Sequence, residues 1–236
     1  MKRFKAVLFD LDGTLRHHVP TGSRVFVDYL RSIKFHFSEE DEIRAERWEH
    51  FYFANSLEIQ EDRKKFDHEG GDFWVNYSRR RLVALGLHPK QAAELAPEVS
   101  AHMGANYKPE VHIPEEAPRM LKILKESGYT LGVVSNRDEP FQDELKGLNL
   151  DSYFHFSLAA GEVQSFKPDA RIFQKAVEMA GTSASETMYV GDNYYADIVG
   201  SHRAGLVPVL FDPKRLFPDA ECDIIRSFDE LHGLLM

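Results

Sequence analysis

Apolar residues form several short, uninterrupted runs along the chain, and each run is closely followed by Asp, Gly or Ser. The first run, FKAVLFD, extends from Phe4 to Asp10 and has Gly13 shortly after it. Runs without polar alternation are typical of strands that are buried on both faces of a parallel sheet. The same pattern predicts further strands at Tyr129–Ser135, Thr187–Val190 and Leu206–Phe211, and more weakly at Phe154–Ala159.

Between the later runs, apolar residues recur at helical spacing, and each such stretch ends at a glycine. Glycine is common just past the C-terminal end of a helix. Strands that alternate with helices imply right-handed crossovers and an α/β fold with a doubly wound parallel sheet, which the first strand must also join. The helices predicted in this part of the chain are Glu115–Ser127, Asp169–Ala180 and Asp197–Ala204.

The stretch from Val19 to Lys108 has a different pattern, because its apolar residues keep helical spacing and no strand-like run interrupts them. We therefore expect a helical module inserted after the first strand. Residues 1–18 and 109–236 would form the α/β core, and residues 19–108 would form the insert. The helices predicted within the insert are Ser23–Ile33, Ser38–Ser56, Asp72–Leu85 and Pro89–Met103.

Composition limits the classes of function that suit this fold. The chain has 236 residues, and its 29 basic and 38 acidic residues give a formal net charge of −9. That sign argues against a nucleic-acid partner, which normally requires a basic surface. The single cysteine, Cys222, excludes an intrachain disulfide and a cysteine-based zinc site. No apolar segment approaches the length that spans a bilayer, so we expect a cytoplasmic protein without a membrane partner.

Two acidic residues, two positions apart, follow the first predicted strand in the sequence Asp10-Leu11-Asp12-Gly13-Thr14. Ligands of open α/β sheets bind outside the carboxyl ends of the strands, where the strand order reverses. Both acids are therefore expected at a site. The string alone is weak evidence, because surface turns favour Asp and Gly for conformational reasons.

Three further groups of polar residues occur near later strands and helices. The carboxyl ends of parallel strands share one edge of the sheet, so these groups are expected to converge with Asp10. They are Ser135-Asn136 after the strand at Tyr129, Lys167-Pro168 before a helix, and Gly191-Asp192-Asn193-Tyr194-Tyr195-Ala196-Asp197 after the strand at Thr187.

With these groups in this order, the chain resembles the haloacid dehalogenase superfamily. The motifs of that superfamily are DxDGT, a Ser or Thr after the second strand, a Lys, and GDxxxD or GDxxxxD. The resemblance covers essentially the whole chain, since the helical insert stands where the superfamily places a helical cap of the C1 type. It implies a Rossmann-like core with a cap domain. It also implies a phosphatase-like, Mg²⁺-dependent hydrolysis of a small phosphomonoester, such as phosphoglycolate, a sugar phosphate or a nucleotide.

Asp10 would form the covalent intermediate, and Asp12 would transfer protons. The carboxylate of Asp10 would attack phosphorus in line and form an aspartyl-phosphate, which divides one difficult step into two easier ones. Asp12 would protonate the leaving oxygen and then activate water. The proximity of two carboxylates is expected to raise one of the two pKa values, as the acid role of Asp12 requires.

A carboxylate that attacks a phosphate dianion needs a nearby cation, and Mg²⁺ prefers carboxylate and carbonyl oxygens. The resemblance implies that the Asp10 side chain, the Asp12 backbone carbonyl and the Asp192 side chain hold this metal. Further residues around the ligands would keep them in place. These supporting residues are Thr14, Asn193 and Asp197.

The substrate phosphate would be bound by Ser135 and Asn136 together with nearby backbone amides. Lys167 would neutralise the charge that the phosphate shares with Asp10. Most lysines are simply solvated surface groups, so this role for Lys167 depends on its position before Pro168 in the order that the family requires.

Three other functions stay open at this point. A phosphomutase of the β-phosphoglucomutase kind shares all four motifs and differs in its cap. A 2-haloacid dehalogenase needs no metal, and dehalogenases of this kind carry Tyr at the position of Asp12. A non-catalytic binding protein could use the same fold, although Asp10, Asp12, Lys167 and Asp192 are all present. The oligomeric state, monomer or dimer, and the identity of the phosphate ester also stay open.

Overall fold

The structure is a computed structural model that describes residues 4–66 and 70–235. The chain divides into two compact units. The sheet unit comprises the chain up to His17 and from His112 onward, and the helical unit comprises His18–Val111. The sequence-based prediction put the boundaries between core and insert at residues 18/19 and 108/109.

Two sheets account for the strands in the described residues. The larger sheet contains β1 (Ala6–Phe9), β4 (Thr130–Ser135), β5 (Phe156–Ala159), β6 (Thr187–Gly191), β7 (Val207–Phe211) and β8 (Asp223–Ile225), and the smaller one pairs β2 (His17–Val19) with β3 (Glu110–His112). The spatial order of the larger sheet is β5-β4-β1-β6-β7-β8, and its neighbouring strands are parallel. Along the chain, β4 and β5 are added on one side of β1, and β6, β7 and β8 are then added on its other side. The strand order therefore reverses at β1, which is where α/β sheets bind ligands.

The helices are distributed between the two units. The helical unit contains α1 (Gly22–Ser32), α2 (Glu39–Phe53), α3 (Leu57–Lys65), α4 (Gly71–Ala84) and α5 (Pro89–Asn106). The sheet unit contains α6 (Glu116–Glu126), α7 (Gln142–Gly147), α8 (Ala160–Val163), α9 (Ala170–Ala180), α10 (Val199–Arg203) and α11 (Leu231–Leu235). Across residues 4–66 and 70–235, no helix combines the length and the apolar character that crossing a bilayer requires.

Alternate residues of β1 enter two different hydrophobic cores. Val7 and Phe9 pack in a core that includes residues of α6, whereas Ala6 and Leu8 pack in a second core that includes residues of α9. All four side chains are fully buried. The strand is therefore covered on both faces, which explains why its sequence is uninterruptedly apolar. The predicted α/β fold with a doubly wound parallel sheet is confirmed.

The prediction of one long helix at Ser38–Ser56 was wrong at its C-terminal end. Ser38 caps the start of α2 and forms a capping box with Asp41, but α2 ends at Phe53. Asn55 adopts a left-handed φ of 52°, which Asn tolerates better than most residues. Ser56 then accepts a hydrogen bond from the Ile59 N–H at 3.3 Å and begins α3, a helix that the sequence pattern did not reveal. Strands β2, β3 and β8 and helices α7, α8 and α11 were also missed.

Candidate active site

The loop after β1 is folded tightly against the loop after β6. The backbone N–H of Asp10 donates to the Val190 carbonyl at 2.9 Å. Gly13 has a φ of +97°, and a Cβ atom at this position would lie 2.4 Å from Asp192 Oδ2. Both the backbone conformation and the lack of space therefore require glycine. This close approach brings the first acidic motif next to the last one.

Thr14 links the same two loops through its hydroxyl group. The buried Thr14 Oγ1 donates to Asp192 Oδ1 at 3.1 Å and accepts a hydrogen bond from the Asp192 N–H at 3.0 Å. Thr14 thereby orients the Asp192 carboxylate. A role of Thr14 in supporting a metal ligand stays a prediction that this contact favours.

The ammonium group of Lys167 lies at the centre of the buried polar residues. Lys167 Nζ donates to Asp10 Oδ1 at 2.6 Å and to Asp197 Oδ1 at 2.7 Å. It also lies 3.0 Å from the Tyr189 hydroxyl and 3.2 Å from the Val134 carbonyl oxygen. Lys167 is 2% exposed, so its charge is compensated by these groups and not by water. Three of the residues predicted from separate motifs are thus in direct contact.

Asn136 positions Lys167 through the backbone. The Asn136 side-chain oxygen accepts from the Lys167 N–H at 2.6 Å, and its amide nitrogen donates to the Lys167 carbonyl at 2.9 Å. Direct phosphate binding by Asn136 stays a prediction, and in this structure both polar atoms of its side chain are engaged by Lys167. Ser135 is the last residue of β4 and is buried.

Three carboxylates form a group that fits a divalent cation. Oxygens of Asp10, Asp192 and Asp197 all lie within 4.8 Å of one another. When all three are ionised, their three negative charges exceed the single positive charge of Lys167 by two, which Mg²⁺ would balance. Burial is the main cause that raises the pKa of Asp10 to about 7, and it also raises the pKa of Asp192 well above its usual value. Oxygen donors held at this spacing suit a hard cation.

Asp197 is held in place by the turn that follows β6. Asn193 accepts hydrogen bonds from the N–H groups of Tyr195 and Ala196 at 3.1 Å and 2.9 Å, and so caps the π-helical turn Tyr194–Ile198. The Asn193 N–H in turn donates to Asp197 Oδ2 at 3.0 Å. Both Asp197 oxygens are therefore hydrogen-bonded, one to the backbone and one to Lys167, which favours the predicted supporting roles of Asn193 and Asp197.

The side chain of Asp12 lies outside the group of three carboxylates. Its oxygens bind Arg16 and Arg137 instead, and its side chain is 43% exposed. Burial favours a higher pKa for Asp12, but hydrogen bonds and charge from Arg137 and then Arg16 outweigh it and lower the pKa. One of the two pKa values is raised, as predicted, but it is that of Asp10. The expectation that Asp12 has the raised pKa is wrong for this structure, because two arginines stabilise its ionised carboxylate. Metal binding through the Asp12 backbone carbonyl stays a prediction.

The chain matches the haloacid dehalogenase-like hydrolase family over residues 4–205. It belongs to that family.

Relatives of this hydrolase cover most of its length. It is 30% identical over 235 residues to the ribulose-1,5-bisphosphate 5-phosphatase of Halopiger xanaduensis, with 95% of this chain and 89% of the relative covered. It is 29% identical over 208 residues to the glyceraldehyde 3-phosphate phosphatase of Methanopyrus kandleri, with 87% and 82% covered. The crystal structure of a 2-haloacid dehalogenase from Pseudomonas syringae is similar at a TM-score of 0.56 and 25% identity, with 98% and 97% covered.

Several residues around the site of this hydrolase were not singled out by its sequence. Tyr189 contacts Lys167, and burial raises the Tyr189 pKa well above its usual value, so the hydroxyl stays protonated. Tyr189 and the site-edge residue Gly191 lie on the same face of β6, so strand alternation could have revealed Tyr189. Arg16 stands four residues after Asp12, a spacing that could also have been noticed. Arg137 directly follows the predicted site residue Asn136, which could have been noticed, although its contact with Asp12 spans 125 residues of sequence.

Proposed function

We propose that this hydrolase is a Mg²⁺-dependent phosphoric monoester hydrolase that forms an aspartyl-phosphate on Asp10. The observation that carries the proposal is the buried Asp10 carboxylate, which lies against the Lys167 ammonium and within a group of three acids. A buried nucleophile beside a fixed cation suits attack on an anionic group. Two relatives that cover most of the chain are named phosphatases, which supports the same reaction class.

The reaction divides between Asp10 and Asp12. An Asp10 carboxylate oxygen forms a bond to phosphorus as the ester P–O bond breaks, and Asp12 gives a proton to the departing oxygen. Water then attacks phosphorus of the aspartyl-phosphate, and Asp12 takes up a proton from that water. Breaking the Asp10–phosphate bond releases inorganic phosphate and restores the carboxylate. The arginine contacts of this structure favour the ionised Asp12, which is the form that accepts a proton in the second step, so Asp12 must take up a proton from solvent before the first step.

The residues around Asp10 would balance the negative charge of the substrate phosphate. The side chains of Asp10 and Asp192 and the backbone carbonyl of Asp12 would hold Mg²⁺. When bound, this ion supplies positive charge that offsets the repulsion between the Asp10 carboxylate and the phosphate. Lys167 would contribute further positive charge, and its four contacts keep its ammonium fixed; they are with Asp10, Asp197, Tyr189 and the Val134 carbonyl.

The phosphate oxygens would be bound by Ser135 and Asn136 at the end of β4, with the backbone amides there as further donors. We also propose that the helical unit acts as the cap domain that selects the substrate and excludes water during the reaction. The proposed substrate is a small phosphate ester in the cytoplasm. Sugar phosphates are the preferred candidates, because the names of the two relatives contain such compounds. Phosphoglycolate and nucleotides are the next candidates.

The proposal is tested by phosphate release from p-nitrophenyl phosphate and from a panel of these metabolites. We expect turnover with Mg²⁺, loss of turnover on chelation and its return when Mg²⁺ is restored. The Asp10→Asn variant should release no phosphate. Asp229→Asn is the matched control, because Asp229 is an exposed aspartate ion-paired with Arg119 and should keep full activity. No phosphate release from any ester, or full activity of Asp10→Asn, would show the proposal to be wrong.

A second candidate, dehalogenation of 2-haloacids, is favoured by the structural similarity to a 2-haloacid dehalogenase. Halide release from 2-chloropropionate in the presence of a chelator separates the two reactions, since dehalogenation needs no metal. A phosphomutase would instead convert one sugar phosphate isomer into another without releasing phosphate. The same metabolite panel, analysed for isomer products, tests that alternative.

A further inference from the structure

Four charged side chains form a closed ion-pair network beside the proposed catalytic loop. Asp12 and Glu144 each contact both Arg16 and Arg137, so that every member has two partners of opposite charge. Arg137 Nε and Nη2 lie 3.0 Å and 3.1 Å from the two Asp12 oxygens, and its Nη2 lies 3.2 Å from Glu144 Oε1. Arg16 Nε lies 3.1 Å from Glu144 Oε1, and Arg16 Nη1 donates to Asp12 Oδ1. We call these residues the four-residue network.

The contact between Arg137 and Asp12 is bidentate, which is why it fixes orientation as well as position. Two parallel N–H···O bonds set the plane of the carboxylate, whereas a single contact would leave it free to rotate. The arginine itself is constrained, since Glu144 binds its other edge and its guanidinium lies 5.5 Å from the centre of the Phe141 ring. The side chains of Arg16 and Arg137 are 16% and 24% exposed, so solvent screens these contacts only partly.

Arg16 is fixed by the catalytic loop itself. Its N–H donates to the Leu11 carbonyl at 2.8 Å, and its carbonyl accepts from the Gly13 N–H at 2.8 Å. Its backbone therefore belongs to the same tight turn that carries Asp12. The side chain returns over this turn to reach the Asp12 carboxylate. Asp12 is thus held from its own loop by Arg16 and from the loop after β4 by Arg137.

We propose that Arg137 and Arg16 are positioning residues that hold the Asp12 carboxylate for proton transfer, and that Glu144 keeps both arginines in place. This inference rests on the proposed function, in which Asp12 exchanges a proton with the leaving oxygen and then with water. Proton transfer requires hydrogen-bond distance and alignment, and general acid–base catalysis is lost when the group is displaced. The two arginines act on the reaction through Asp12 and not by touching the ester.

A pair of esters that differ in leaving group isolates this role. Phenyl phosphate and p-nitrophenyl phosphate have nearly the same shape, but only phenolate needs a proton to leave readily. The value of kcat/KM reports the step in which the ester bond breaks. For Arg137→Gln we expect kcat/KM to fall about 10- to 100-fold with phenyl phosphate, because the lost alignment of Asp12 outweighs the larger protonated fraction that Asp12 gains when Arg137 no longer lowers its pKa. With p-nitrophenyl phosphate we expect a loss of less than about threefold, because its leaving group departs as the anion.

Further variants separate positioning from a merely structural effect. Arg137→Lys keeps the charge without the bidentate geometry and should give an intermediate loss that is again larger for phenyl phosphate. Glu144→Gln leaves Asp12 and both arginines present but holds the arginines less firmly. Its kcat/KM should again fall more with phenyl phosphate than with p-nitrophenyl phosphate, by a smaller factor than in Arg137→Gln. It also provides the test if Arg137→Gln does not fold. Arg119→Gln is the matched control, because Arg119 Nη2 makes an exposed pair with both oxygens of Asp229, at 2.8 Å and 2.6 Å.

Equal losses with the two esters, or no loss in the Arg137 and Glu144 variants, would overturn the positioning role while the phosphatase proposal stands. If the unaltered protein released no phosphate from either ester, or if the release did not depend on Asp10, the proposed function would be overturned, and the positioning role with it. The two failures are therefore distinguishable in one set of assays.

Discussion

Replacing Lys167 by methionine would leave two buried carboxylates without the cation that they share. The Lys167 ammonium lies 2.6 Å from Asp10 Oδ1 and 2.7 Å from Asp197 Oδ1, and methionine fills a similar volume without charge. Removal of one partner from a buried ion pair costs about 3–5 kcal/mol. In a chain of this length, 1 kcal/mol shifts Tm by about 2–4 °C, so we expect Tm to fall by about 6–20 °C in metal-free buffer.

Thermal unfolding at pH 8, followed by circular dichroism with a chelator and then with excess Mg²⁺, measures this effect. Mg²⁺ should raise the Tm of Lys167→Met more than that of the unaltered protein, because the variant lacks the competing positive charge. Lys175→Met is the matched control, since Lys175 makes a partly exposed pair with Glu178 that contributes about 0–1 kcal/mol. If Lys167→Met unfolded at the same temperature as Lys175→Met, the charge argument for the site would be refuted.

Three more variants test the electrostatics and geometry of the site. Burial, opposed by Lys167, raises the pKa of Asp10 to about 7. The folded state therefore holds this proton more tightly than the unfolded state does, and the stability that Asp10 contributes falls as pH rises from about 4 to about 7. The Tm of Asp10→Asn relative to the unaltered protein should therefore increase from pH 5 to pH 8 in metal-free buffer, and a constant difference would contradict this. Gly13→Ala should lower kcat by about 100-fold through displacement of the acidic loops. Gly128→Ala, with a φ of +78° but open surroundings, should cost about 1–2 kcal/mol of stability and leave kcat unchanged. Tyr189→Phe removes one hydrogen bond to the ammonium of Lys167 and should lower kcat about 2- to 10-fold, whereas an unchanged kcat would show that the hydroxyl is dispensable.

The elements that sequence alone predicted are those with a strong local signal. The strand β1 is a run of apolar residues because both of its faces are covered, and α9 ends at Ala180, just before Gly181, which has a left-handed φ of 65°. Such signals are contained within a few neighbouring residues. The short strand β8 lacked one, since Asp223–Ile225 has only three residues and its place is set by pairing with β7. Its existence depends on a neighbour that the local sequence does not reveal.

The residues of the candidate site also differ in whether a local sequence signal reveals them. Asp10, Asp192 and Lys167 each belong to a motif next to a strand or helix end, and parallel strands bring such ends to one edge of the sheet. The partners of Asp12 could not be read in this manner. Arg137 directly follows Asn136 and so lies near the predicted site, but its partner Asp12 is 125 residues away, and the sequence does not show which side chain the arginine contacts. The pKa of Asp12 was therefore misjudged, because the prediction counted the neighbouring acid and not the two distant bases.

The contact between Asn136 and Lys167 has a consequence for how the protein can change through evolution. Two hydrogen bonds join residues that are 31 positions apart, so the place of the Lys167 backbone is set by Asn136 and not by the length of chain between them. Insertions or deletions in the turn after α7, near the left-handed residue Asn149, would alter that length without moving the ammonium. The turn after α7 can thus differ in length among relatives while the lysine keeps its place.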